Sequence, residues 1–219
     1  DYEVDAMLGL GMAGKGKSGV VVKLASAFER SSLHNVDYVS TISRSMMNKA
    51  QEKGVAAEKV IFFPNWSEAA RFRDVTETDA QALRAQLGLP EEQKIILYSG
   101  NIGEKQGLES VIEAAQQLSK RSWMFVIVGQ GGGKARLEKM ASERGLTNVK
   151  FFPLQSYEAL PALLKMGDCH LVVQKRGAAD AVLPSKLTNI LAVGGNAVIT
   201  AEAATELGQL CSSYPGIAV

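Results

Sequence analysis

Downstream of residue 94, short apolar runs alternate with amphipathic stretches. The runs at 95–98, 124–128, 149–152, 170–173 and 197–199 have strand length and little polar alternation, which predicts strands buried on both faces. The segments between them, near 108–119, 134–144, 157–165 and 185–193, carry apolar residues at helical spacing. Strand and helix in strict alternation imply right-handed βαβ units around a parallel sheet, an α/β doubly wound architecture. Upstream the pattern predicts a helix over 20–30, a strand over 39–42, Ser43 as the cap of a helix over 44–53, and an apolar strand over 60–63. Pro64-Asn65-Trp66 then opens a polar stretch of weak periodicity, read as a crossing between domains. The expected division is 1–63 as the last part of one domain, 64–80 as the crossing and 81–219 as a second domain.

The totals exclude several classes of function. At 219 residues the chain holds one large domain, or one domain and part of another. It begins without Met and stops at Ala218-Val219 straight after the turn-like Tyr214-Pro215-Gly216, so a piece of a longer protein is expected. Lys and Arg number 24 against 23 Asp and Glu, a formal charge of +1, so no global field recruits nucleic acid and any basic site must be local. Cys169 and Cys211 show no CxxC or Cys/His spacing, and His34 and His170 are too few and scattered for a ligand set. Two reduced thiols and no metal are expected. The apolar stretches fall well short of the ~20 residues that span a bilayer and no signal peptide opens the chain, which points to a cytoplasmic protein, soluble or peripheral at the inner membrane face.

Ligands of parallel α/β sheets sit outside the carboxyl ends of the strands, and several glycines fall there. In Ser99-Gly100-Asn101-Ile102-Gly103-Glu104-Lys105-Gln106-Gly107 an apolar run breaks and leads through a short loop into a helix. Glycines let backbone approach a ligand, the next helix presents unpaired N–H groups with partial positive charge, and Lys105 adds a full charge; the combination suits a diphosphate. Val128-Gly129-Gln130-Gly131-Gly132-Gly133 also joins a strand to a helix, but its G-x-G-x-x-G spacing fails at Lys134 and no acidic residue ends a following strand. It reads as a tight turn or as the lining of a nucleotide cleft. Pro184-Ser185-Lys186-Leu187-Thr188-Asn189 opens a helix, either an ordinary start or a second anion clamp on the same rim. Gly11-Met12-Ala13-Gly14-Lys15-Gly16-Lys17-Ser18 matches the G-x-x-x-x-G-K-[ST] loop of NTPases. The stretch before it makes a poor central strand, and no apolar run ending in an Asp for Mg²⁺ follows. A basic loop, or an apolar and cationic edge against an anionic membrane, are its other readings.

Taken together, residues 100–107, Val126-Ile127-Val128-Gly129-Gln130-Gly131, Leu183-Pro184-Ser185-Lys186 and Leu191-Ala192-Val193-Gly194 resemble the donor domain of GT-B glycosyltransferases of family four. The resemblance runs from about Val36 to the C-terminus and includes Phe63-Pro64-Asn65 and the helix end at 83–89. In closer detail the chain is similar to the bacterial exopolysaccharide subgroup, and within it to the colanic-acid fucosyltransferase type. The resemblance implies two Rossmann-like domains with the active site between them, this chain supplying the donor domain and a partial acceptor domain. It also implies a retaining, metal-independent hexose transfer, with GDP-fucose as donor, a lipid-linked saccharide as acceptor, and no cofactor beyond the nucleotide sugar.

Carried over position by position, Lys105 would bind the donor diphosphate with Gly100, Asn101 and Gly103 beside it. Asn101 stands where many relatives have an Arg, which removes a charge. Ser185 and Lys186 would offer backbone N–H groups, Gly129 would line the cleft, and Phe152-Pro153-Leu154 would border the base. The family's glutamate pair, eight positions apart, falls on Ala181 and Asn189. Asn189 would then bond a ribose hydroxyl, and neighbouring Asp180 would take over as the sugar-facing carboxylate. Stabilising the leaving diphosphate is the catalytic demand, which Lys105 and the two helix starts are placed to meet. Two rival functions stand beside this one: a P-loop NTPase using Lys17 and Ser18, and a non-catalytic nucleotide-sugar-binding module of a polysaccharide assembly complex, suggested by the missing glutamates.

Overall fold

The computed structural model describes residues 17–64, 66, 68–175 and 185–214. Contacts group these into two units, one from residues up to 66 together with 175 and 201–214, the other from 68–174 and 185–200.

In the first unit, α1 (Lys17–His34) leads to β1 (Val39–Thr41), α2 (Arg44–Glu52) and β2 (Val60–Phe62). The two strands pair in parallel, Val39 opposite Val60, and α2 lays Met46 and Ala50 against Val55 and Val60. Ser43 starts α2 as its sequence position implies. Its backbone is extended and its Oγ accepts the Met46 N–H at 3.1 Å, satisfying one donor of the first turn.

The second unit opens with α3 (Ala69–Arg73) and α4 (Glu77–Gln86), a stretch in which weak periodicity predicted no helix before about residue 80. The reason for α4 is a reciprocal cap. Thr76 Oγ1 accepts the Asp79 N–H at 3.2 Å while the Asp79 carboxylate accepts the Thr76 N–H at 2.9 Å. Then follow β3 (Lys94–Ser99), α5 (Glu109–Gln117), β4 (Trp123–Val128), α6 (Lys134–Glu143), β5 (Val149–Phe152), α7 (Leu160–Lys165), β6 (Cys169–Val172), α8 (Lys186–Ala192) and β7 (Ala197–Ile199). Each strand expected from the apolar runs is present with ends shifted by at most one residue.

All five strands pair in parallel in the order β5-β4-β3-β6-β7. β4 lies inside the sheet and is buried from Met124 to Val128, which is why it reads as an unbroken apolar run. Leu108, Val111, Ile112 and Ala115 join Leu137 and Ala141 of α6 over Tyr98, Phe125, Ile127 and Val149 to form a core cluster. The chain winds outward from β3 to β4 and β5, then returns to the other side of β3 for β6 and β7. The winding therefore reverses between β3 and β6, and a crevice opens at the carboxyl ends of these two strands.

Back in the first unit, α9 (Glu206–Ser213) completes α2. The Glu206 carboxylate accepts the N–H groups of Arg44 at 3.0 Å and Ser45 at 2.8 Å, placing an anion on the positive end of that helix. Burial pushes this carboxyl up, but the N–H bonds from Ser45 and Arg44 outweigh it and hold its pKa below the ordinary glutamate value. A carboxyl with a depressed folded pKa contributes stability above its unfolded pKa and loses it as pH falls through the folded value. Glu206→Gln in the intact protein is accordingly expected to cost about 1 kcal/mol near neutral pH, and the difference from the wild type should shrink toward zero under acid conditions, as read from denaturation midpoints at the two pH values.

Candidate functional site

At the mouth of β3 the ladder with β4 does not stop where the strands end. The Gly100 N–H donates to Val128 O at 3.0 Å, the Ile102 N–H to Gln130 O at 2.8 Å, and the Gly133 N–H to Ile102 O at 2.9 Å. The loop after β3 and the loop after β4 are thus joined backbone to backbone. This contact explains the glycines of 129–133. A Cβ at Gly129, whose φ is +156°, would sit on the carbonyl oxygen of Gly100, and a Cβ at Gly131, at φ +149°, would meet the backbone of Ile102. Of the two readings of this segment, the tight turn accounts for its composition, because the space is filled by protein rather than held open for a ligand.

The same bonds reduce what the Gly100 loop offers an anion. Gly100 and Ile102 have their N–H groups committed to the β4 side, and the Gly103 N–H donates to Gln106 Oε1 at 3.1 Å. Glu104–Gln106 then forms a single 3₁₀ turn ended by Gly107 in the left-handed region, and α5 follows. Lys105 rides on this turn, partly exposed. Arg136 from α6 braces the turn from outside through ion pairs to Glu104 and Glu109.

Beside the carboxyl end of β3 lies a cavity of about 240 Å³ lined by Leu97, Ser99, Leu154, His170, Ser185, Lys186 and Asn189, together with apolar side chains of α7 and α8. Ser185, Lys186 and Asn189 therefore come together in its lining, and Leu154 brings the loop after β5 to the same cavity. Phe152, Pro153, Gly129 and Lys105 do not line it. The Phe152 carbonyl accepts the Gly129 N–H at 3.1 Å, tying that loop into the same backbone network. Ser185 precedes α8 without a side-chain cap bond of its own. Asp180, Ala181, Leu183, Pro184 and the Gly11-to-Gly16 part of the NTPase-like loop lie outside the described residues, as do the side chains of Lys17 and Ser18.

Two groups at the site were invisible as partners in the sequence. Tyr98, fully buried at the end of an apolar run, donates its hydroxyl to the Asn101 carbonyl at 2.6 Å, and burial raises its pKa so that it stays a neutral phenol. The Lys186 ammonium lies over the Tyr98 ring, 4.0 Å from its centroid. The sequence assigned only backbone N–H groups to Lys186; its side chain in fact crosses to the end of β3. His170 is a buried residue of β6, as its apolar surroundings implied. Burial lowers its pKa to about 4, leaving a neutral ring whose Nε2 has no hydrogen-bond partner among the described residues. Among the described residues no group of three His, Cys, Asp or Glu side chains is placed to hold a metal ion, and no helix is long and apolar enough to cross a membrane.

The comparisons with known proteins fall on this same region. A family model described as glycosyl transferases, group 1, matches residues 79–218. Glycosyl transferase WcaI of Escherichia coli K12, a protein named for colanic acid biosynthesis, is 80% identical over all 219 residues, which make up 54% of its length. The chain thus spans about half of that curated relative. Among solved structures, HepE of Anabaena in complex with UDP-glucose superposes with a TM-score of 0.65 at 18% identity, over 75% of this chain and 44% of that one. WaaG, a glycosyltransferase involved in lipopolysaccharide biosynthesis, superposes with a TM-score of 0.62 at 20% identity, over 74% of this chain and 44% of that one. At such identities the superpositions speak for the fold, which is the GT-B type with a parallel Rossmann-like sheet.

The joined loops are the part of this geometry that a single methyl group tests. Gly129→Ala should lower the stability of the intact protein by about 2 kcal/mol or more, since backbone rather than a movable side chain must yield. Its thermal midpoint should fall accordingly; an unchanged midpoint would contradict the contact.

Proposed function

This chain belongs to the glycosyl transferases of group 1, and we propose that it is the donor-binding part of a retaining enzyme that moves a hexose from a nucleotide sugar to a lipid-linked acceptor in exopolysaccharide synthesis. The observation that carries this reading is the cavity at the point where the sheet's winding reverses, walled by Ser99, Ser185, Lys186 and Asn189. Its mixed lining suits a nucleoside with an anionic group: Leu97, Leu154 and Leu160 provide apolar surface, and Asn189 on the wall is placed for a ribose hydroxyl. Similarity to a protein named for colanic acid biosynthesis favours the colanic-acid polysaccharide as the product, and the sequence motifs' resemblance to the fucosyltransferase type favours GDP-fucose as donor.

In this reading Lys105 approaches the diphosphate from the 3₁₀ turn, with Gly100, Asn101 and Gly103 beside it, and the N–H groups at the start of α8 face it from the other side. Gly129 and the Phe152-Pro153 pair support the rim through the loop network, and Asp180 supplies the sugar-facing carboxylate. Charge on the leaving diphosphate is met by fixed ammonium groups, so the transfer requires no metal or further cofactor. The acceptor, being lipid-linked, brings the enzyme to the inner face of the cytoplasmic membrane as a peripheral protein. The family match over 79–218 lies wholly outside the NTPase-like loop and lends that rival nothing. A relative named as a transferase at 80% identity likewise does not favour a non-catalytic module.

Calorimetric titration of the intact protein with GDP-, UDP- and ADP-sugars is expected to give one clear preference, for the GDP-sugar; no binding by any of them would refute the donor assignment. In transfer assays with the preferred donor, Lys105→Ala should cost about 2 to 4 kcal/mol of transition-state stabilisation and Asp180→Ala should also slow turnover. A variant with wild-type turnover would remove that residue from the machinery.

A further inference from the structure

We propose that the side-chain ammonium of Lys186, seated on the Tyr98 ring at the end of β3, is a second cation for the donor's diphosphate beside Lys105; the inference rests on the donor reading above. Three features converge on it. The first is position: Lys186 lines the cavity, whereas Lys105 does not.

The second is space. The spot a Cβ would occupy on Gly100, at φ +147°, lies 3.1 Å from Lys186 Nζ and 3.6 Å from the Tyr98 hydroxyl. A side chain at residue 100 would displace the ammonium by a few tenths of an ångström, so glycine there leaves room for a charge arriving from α8.

The third is charge. Lys186 lies over an aromatic face, and among the described residues no carboxylate pairs with it. Burial lowers its pKa to about 8, so it remains largely protonated at neutral pH, with no counter-ion among the described residues. A ring face returns less to a partly desolvated cation than an ion pair with hydrogen bonds gives. A diphosphate supplies the missing negative charge. The need is sharper because three of the four N–H groups of the loop, those of Gly100, Ile102 and Gly103, are already committed within the protein.

Tyr98 acts as a positioning residue in this arrangement. Its ring carries the ammonium and its hydroxyl holds the Asn101 carbonyl, so one side chain links the cation to the loop that faces it.

The test is titration of the intact protein with GDP and UDP by calorimetry, and with guanosine and uridine by ligand-observed NMR. Lys186→Met keeps the aliphatic stem and removes the charge, and Lys186→Arg keeps the charge. Lys186→Met is expected to weaken the preferred nucleoside diphosphate about 10- to 100-fold, the range of a charge-assisted hydrogen bond, while nucleoside binding and the thermal midpoint stay at wild-type values. Lys186→Arg should recover most of the loss. Equal weakening of nucleoside and diphosphate, or undiminished diphosphate binding by Lys186→Met, would overturn the role of Lys186 alone. A wild-type protein that binds neither diphosphate would overturn the donor reading beneath it.

Discussion

The carbonyl of Gly100 occupies the place where a side chain on residue 129 would stand, and the geometry of the site depends on that contact. It lets two strand-to-helix loops continue the hydrogen bonding of β3 and β4 beyond the sheet, through Gly100 to Val128 and Ile102 to Gln130. A loop held on one side by backbone bonds and on the other by the Tyr98 hydroxyl has little freedom to rearrange. Preorganisation of this kind is what electrostatic catalysis asks for, because a group already fixed need not be ordered as charge develops.

The electrostatics follow from the same packing. With most loop N–H groups committed, positive potential at the mouth of β3 must come chiefly from side chains, and the ammonium that reaches it arrives from α8, a neighbour in space but distant in sequence. Two described neighbours do not compete: Tyr98 stays a neutral phenol and His170 a neutral imidazole, both through burial. A net charge of +1 is compatible with the proposed anion site, since a half-buried cation that no carboxylate of the described residues pairs with exerts more local field than several exposed ion pairs.

The fold was largely legible in the sequence because parallel strands buried on both faces leave apolar runs that no other element imitates; Met124 to Val128 is the clearest case. The Ser43 cap was legible for the same kind of reason, a local bond between neighbours in the chain. The start of α4 carried a local signal too, Thr76 three residues before Asp79, masked by the weak apolar periodicity around it. The site was read less fully. The rim was found, since strand ends and glycines mark it, and Ser185, Lys186 and Asn189 do meet there. What the glycines were for could not be read, because Gly129 answers to the carbonyl of a residue 29 positions earlier. The Lys186 and Tyr98 pair, and the bond from Glu206 to the first turn of α2, are likewise contacts between distant positions, set by topology rather than by spacing.

The most direct test is a crystal structure of the intact protein with the nucleoside diphosphate it binds most tightly. The account predicts phosphate oxygens within hydrogen-bond distance of Lys186 Nζ, and the nucleoside in the cavity between Leu154 and Asn189. A nucleotide bound elsewhere, with Lys186 still resting on Tyr98 and that cavity vacant, would contradict it.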